Sequence, residues 1–512
     1  MIKQSFFAAA LFTGLIAGAQ KMADPSAFAK GITPEVLKKH LSVIASAAME
    51  GRNTPSPGLE RAADYITAQF KGQGLTAGNQ GSYRQTYQLT KDSLAKLELK
   101  IGDNSFNADE VAPLFTNGES VHLKFDNYAF TGYGIVDKGR DDYAGIDVKG
   151  KLVVVFAGAP KGFTPSQEGR MASTALMVKI GNALKKGAAA VLVAVDAIPP
   201  RFKSKVSYRP SWVKKSATAQ PPVFFIGKNV VEKTSGYSFE DVTAALDNGQ
   251  APPEVKNAVM TLDYEVQKNV ATASNVLGVI EGTDKKNEYL FITAHYDHLG
   301  KDAAGNIFYG ADDDGSGTVS VLTMAEAFAR AKKAGKGPRR TLVFMTVSGE
   351  EKGLWGSEYY SENPIYPLDK TTADLNIDMI GRVDTERKSA DTLNYIYVIG
   401  HDKLSTDLPV INEAMNNKYT KLTLDYKFDD PADPERIYYR SDHFNFARKG
   451  VPILFFYDGM LKADYHKITD TVDKINFPLM AKRAQMIFYT AWEMANRDDM
   501  LKRDLKLPET AR

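Results

Sequence analysis

From about residue 270 onward, short apolar runs alternate with longer stretches of helical period. Five of the runs predict strands, at 288–294, 341–347, 373–378, 395–399 and 451–456. Apolar positions recur at helical spacing over 318–334 and 477–496 and predict helices there. Continuous apolar strands separated by helices point to an α/β fold with a mostly parallel (mixed) central sheet and helices on both faces. Ligand sites in such sheets form beyond the carboxyl ends of the strands. Reactive residues are therefore expected just after the strands.

The first half of the chain reads differently. Residues 33–76 predict helix in two pieces, opening at Thr33-Pro34-Glu35 with Leu37, Leu41 and Ile44 at helical spacing. A Pro/Gly turn at 54–58 separates the pieces, and the second closes at Gly72 and Gly74. Between 108 and 265 the runs TGYGIVDKG, GKLVVVFAG and AAVLVAVD predict short strands divided by glycines. A helix is expected at 175–186, and PPVFFIGKNVVEKTSG adds a strand and a helix. No cluster of histidines and carboxylates occurs in this stretch. The expected organisation is a discontinuous domain, 20–107 and 266–500, interrupted by a smaller β-rich domain at 108–265 and followed by a tail at 501–512.

Residues 1–19 are the one segment of another kind. Lys3 precedes the apolar run 6–19, and Ala17-Gly18-Ala19 has the small-x-small pattern of a secretory cleavage site. The run is short for a membrane span, and no later stretch is long and apolar enough for one. The expectation is a secreted or periplasmic protein without stable membrane insertion.

Composition narrows the chemistry. The 512 residues exceed one ordinary domain. A formal net charge of +2 gives no reason to expect nucleic acid as a partner. Cysteine is absent, which removes disulfides, thiolate metal sites and cysteine nucleophiles together. Any metal must be held by His, Asp and Glu. The sequence sets no oligomeric state.

The candidate residues do follow strands. His295 and Asp297 come after the first, in FITAHYDHLG; GADDDGSG at 310–317 places Asp312, Asp313 and Asp314 before a helix. Glu350 and Glu351 follow the second strand, Asp378 ends the third, and Tyr465 and His466 lie in the loop after the last. Each has a bland reading taken singly: a surface histidine, a helix-capping aspartate, a solvated Glu pair. Together they would put four carboxylates, Asp313, Glu350, Glu351 and Asp378, in one partly desolvated pocket, which raises their pKa values and opposes folding. Two divalent cations reverse that sign. Oxygen and imidazole donors suit zinc, with manganese or cobalt as alternatives.

The motifs HYD at 295, ADDDGSG at 311, SGEEKGLWGS at 348, NIDMIG at 376, RSDHFNF at 440 and DYHKITDT at 464 occur in one order along the chain. In that order they resemble the secreted bacterial zinc aminopeptidases with a co-catalytic metal pair. The same family holds glutamate carboxypeptidase-like enzymes and glutaminyl cyclases. MEGRNTPSPG, near residue 50, is similar to the start of the family, and 108–265 resembles a protease-associated domain. The resemblance implies a metallopeptidase-type fold, two Zn2+ per chain and peptide substrates with a free N-terminus. It implies one metal on His295, Asp313 and Asp378 and the other on Asp313, Glu351 and His466, with Asp313 bridging. Glu350 would be the general base, Asp297 would orient His295, Tyr465 would donate to the developing oxyanion and Arg440 would contact substrate. His298 and His443 are expected to be hydrogen-bonded structural residues. A carboxypeptidase, a glutaminyl cyclase and a non-catalytic receptor-like protein are the alternatives.

Overall fold

The computed structural model describes residues 24–116, 118–212, 220–250, 259–430 and 432–507. The expected leader at 1–19 and the end of the expected tail lie outside the described residues. Among these residues no helix is long and apolar enough to cross a membrane.

A twelve-stranded mixed sheet organises most of the chain. Its centre is four parallel strands in the spatial order Arg340–Val347, Lys285–His295, Thr371–Ile377 and Ile453–Tyr457. Met260–Ile280 pairs antiparallel on one side and Tyr395–Ile399 antiparallel on the other. Successive side chains of a strand face opposite ways, and here both ways are covered. Leu290 and Ile292 pack against the helices Pro34–Ile44, Pro57–Gln73, Gly317–Lys333 and Phe477–Asn496, whereas Phe291 packs on the other face with Tyr360 and Phe446. Burial on both faces is why these strands are apolar without alternation. The two opening helices begin as their sequences require: Thr33 accepts from the Val36 N–H and Ser56 from the Leu59 N–H, each with proline at the first helical position.

The 108–265 region builds a second sheet of five strands, ordered Val111–Phe115, Val223–Ile226, Ala190–Ala194, Leu152–Phe156 and Tyr128–Phe130. All neighbours but the first pair run parallel. The run TGYGIVDKG does not join it. Gly132 and Gly134 take φ of 55° and 68° and turn the chain, and only Val136–Asp137 remains as a two-residue strand.

Two long strands join the regions. Arg84–Ile101 and Met260–Ile280 pair antiparallel over 84–101 and 260–276. At one end Tyr87, Leu89 and Val276 belong to the core of the large sheet; at the other Leu97, Leu99, Met260 and Leu262 belong to the core of the small one.

Candidate metal centre

The carboxyl ends of the central strands bring the expected residues to one crevice. His295 is the last residue of its strand and is 1% exposed. Its Nε2 stands 3.3 Å from Asp313 Oδ1, 3.6 Å from Asp378 Oδ1 and 3.9 Å from Glu350 Oε2. From the opposite side, His466 Nε2 stands 3.2 Å from Asp313 Oδ2 and 3.0 Å from Glu351 Oε2. Asp313 thus turns one oxygen toward each imidazole. His466 is at φ 56° and Met379, next to Asp378, at φ 60°. The left-handed region costs an L-residue roughly 1–2 kcal/mol, so the fold holds two backbone positions beside the crevice against local preference.

Donors of one zinc ion, each about 2.0–2.1 Å from it, stand roughly 3.3 Å apart in tetrahedral geometry. The separations from the two imidazoles to Asp313, Asp378 and Glu351 match that. His295 Nε2, Asp313 Oδ2 and Glu351 Oε1 are buried without hydrogen-bond partners. Charge tells the same story. Burial and then neighbouring Glu351, Asp378 and Asp442 carboxylates push Glu350 well above the carboxylate range, with His295 opposing. Burial works against the charge of His466, but Asp313 and Glu351 lift it to about 10. Burial and Asp313 raise Glu351, and the nearby His298 and His466 pull it down to about 2. The clustered carboxylates that raise Glu350 and His466 are the charges a cation would neutralise, and the donor set suits zinc.

The supports are tied in from distant loops. Asp297 is fully buried; its Oδ2 accepts from the Thr54 hydroxyl at 2.9 Å and its Oδ1 from the Glu350 N–H at 3.2 Å. The His295 Nδ1–H meets the Asp297 backbone carbonyl at 3.1 Å, closer than the carboxylate at 3.6 Å. Asp297 therefore reaches His295 through its main chain, while its side chain locks the Glu350 turn. Asp314 accepts from the N–H groups of His295, Gly317 and Met379, and Asp470 from those of Asp312 and Asp313. Arg52, in MEGRNTPSPG and fully buried, donates to the carbonyls of Ile44, Tyr296, Tyr309 and Gly310. Arg52, Asp314 and Asp470 lie inside the motifs read from the sequence, but their partners are backbone groups, so spacing assigns them no role.

At the mouth, Arg440 Nη2 donates to Tyr465 Oη at 3.1 Å, and the Tyr465 ring stacks on His466. Burial raises the Tyr465 hydroxyl well above its ordinary value, keeping it a donor. The 108–265 region reaches this mouth: a Cβ at Gly169 would lie 2.6 Å from the Pro434 carbonyl, and the next residue, Arg170, is close enough to feel Arg440, Tyr465 and Glu350. His443 is a structural residue, its Nε2 hydrogen-bonded to the Tyr438 carbonyl at 2.7 Å. His298, expected to be hydrogen-bonded likewise, instead has both ring nitrogens unpartnered and stands against Glu351. A third group, His401, Asp402 and Asp429, lies apart and already contains the Lys403 ammonium.

Residues 275–491 match Peptidase family M28. A probable leucine aminopeptidase of Arthroderma benhamiae is 27% identical over 276 residues, covering 52% of this chain and 71% of that one. The aminopeptidase of Aneurinibacillus sp. strain AM-1 shares the fold at 19% identity and a TM-score of 0.59, over 95% of this chain and 99% of that one. A zinc aminopeptidase of Bacillus subtilis does so at 19% identity and a TM-score of 0.58, over 93% and 99%.

Proposed function

We propose that this chain, a metallo-exopeptidase of Peptidase family M28, is a zinc-dependent aminopeptidase that removes the N-terminal residue of peptides. The observation that carries the reading is the convergence of His295, His466, Asp313, Glu351 and Asp378 around one crevice into which Glu350 reaches. The aminopeptidase relative supports the direction of attack. Two ions per chain would be held by His295, Asp313 and Asp378 and by Asp313, Glu351 and His466. When bound, zinc supplies Lewis acidity, activating water and polarising the scissile carbonyl.

The chain's own groups do the rest. Glu350, 12% exposed at its side chain, accepts the proton of the attacking water and delivers it to the leaving amine. Asp297 fixes the main chain from which Glu350 projects. Tyr465, aligned by Arg440, donates to the oxygen that gains charge and so favours the transition state over the substrate. Arg440 contacts substrate from the same wall. The 108–265 region, proposed to be a protease-associated insert, narrows the approach through Arg170. The 1–19 leader supports a secreted or periplasmic location.

The test is turnover of an aminoacyl anilide against its N-blocked form, with and without chelator. Zinc-dependent release from the free amine alone is expected. Equal cleavage of the blocked substrate overturns the exopeptidase direction.

A further inference from the structure

The resemblance leaves His298 out of the ligand set, and the geometry puts it in. We propose that His298 Nδ1 is a ligand of the second metal position, which then has four protein donors, His298, Asp313, Glu351 and His466, against three at the first. The inference rests on the metal centre of the preceding section and changes its composition.

Four observations converge. His298 is fully buried, and neither ring nitrogen has a hydrogen-bond partner. Buried polar atoms are rarely left so. Its Nδ1 lies 2.8 Å from Glu351 Oε1 and 3.8 Å from Asp313 Oδ2. The 2.8 Å approach is not a hydrogen bond, since the ring N–H direction misses the oxygen and Glu351 Oε1 is also unpartnered. An imidazole nitrogen and a carboxylate oxygen this close, neither satisfied by a hydrogen bond, can both donate to one cation. His298, Asp313 and Glu351 offer donor atoms all within 4.8 Å of one another, and the His298 and His466 rings meet at 5.9 Å between centroids.

The fold makes room for the ring. A Cβ at Gly310 would stand 2.5 Å from His298 Cγ and 2.6 Å from Cδ2. Gly310 is at φ 55°, so any other residue there is strained as well as obstructed. The His298 N–H donates to the Arg52 carbonyl at 3.2 Å, which fixes the backbone that aims the ring.

The consequence is an unequal pair. A zinc site with four protein donors is closed and holds its ion structurally; one with three keeps a position for water or substrate. An ion held by His298, Asp313, Glu351 and His466 would be the more tightly bound of the two. With three donors, His295, Asp313 and Asp378 would leave room for water or substrate on the side of Glu350.

The experiment uses the full chain loaded with zinc. X-ray absorption counts imidazoles: three over two zinc ions in the wild type are expected, and two overturn the proposal. Competition with a chelator of known affinity follows in His298→Ala. One site should weaken at least about a hundredfold and the other should not move. Unchanged affinities at both sites overturn the proposal. Weakening with an imidazole count of two also overturns it, leaving His298 as a residue that positions Glu351. Should His298→Ala fail to fold, the wild-type count decides alone. A wild type that takes up zinc with two imidazoles and cleaves the free aminoacyl anilide sinks only the ligand role of His298. A wild type that takes up no zinc removes the aminopeptidase reading as well.

Discussion

Two sheets in one chain bury charge beside the ends of their parallel strands, and they treat it in opposite ways. In the 108–265 region Lys179 is fully buried, and its ammonium donates to the carbonyls of Phe156 at 2.7 Å and Gly158 at 2.6 Å. The charge is met from within by the end of a neighbouring strand. In the large sheet Asp313, Glu350, Glu351 and Asp378 face each other, and among the described residues the basic groups within 4 Å of them are the imidazoles of His295, His298 and His466. The first arrangement is complete as folded. The second would be balanced by cations from solution, and the proposed hydrolysis rests on that balance. Parallel strands alone do not make a site; an uncompensated charge at their ends does.

The contrast breaks most directly when metal is withdrawn. Chelation should abolish anilide hydrolysis and lower the unfolding midpoint of the large-sheet region. An ion present at a thousand times its Kd adds about 4 kcal/mol of stability. Limited proteolysis or hydrogen exchange should show the 108–265 region unaffected. Equal loss in both regions would erase the distinction.

The next effect is chemical. Glu350→Gln should lower kcat by about 10²–10⁴-fold while zinc content stays at the wild-type level. Asp297→Asn should cost about 10–100-fold in zinc affinity or turnover. Its route is the Glu350 turn and the Thr54 contact, so the loss should appear alike in Thr54→Val.

The smallest effect tests the self-contained charge. Burial lowers Lys179 to about 8, with Asp142 opposing. The folded state therefore gives up that proton before the unfolded chain, whose lysine titrates near 10.5. Between those values the unfolded state binds more protons, and folded stability rises with pH. Lys179→Met should remove that rise, a difference on the order of 1 kcal/mol read from denaturation at pH 8 and pH 10. No difference in slope would mean the carbonyls compensate the ammonium fully.

How far the sequence carries differs by region for physical reasons. The helix Phe477–Asn496 and the strand Tyr395–Ile399 have their predicted limits, because their burial produces an unbroken period. His295, Glu351, Asp378 and His466 were legible as candidates because they come at or after strand ends, Asp313 because it lies in the turn before a helix, and the family resemblance grouped the five; the structure brings them together. Arg52, Asp314 and Asp470 act by binding backbone groups brought near by folding, which leaves no pattern to read. His298 was set aside because a lone histidine after HYD has no spacing that marks it. TGYGIVDKG misled because its apolar content suits a strand while its glycines take turn conformations. The antiparallel pairing of 84–101 with 260–276 joins segments far apart in sequence, and no local period announces it.

That pairing has a mechanical outcome. A ribbon whose two strands are stitched to each other along most of their length resists bending across its ladder far more than a pair of loose tethers would. With Gly169 also pressed on Pro434, the smaller lobe is braced at two places, like a porch on a beam and a post. The place of Arg170 beside the crevice is then set by both contacts, not by a loose tether.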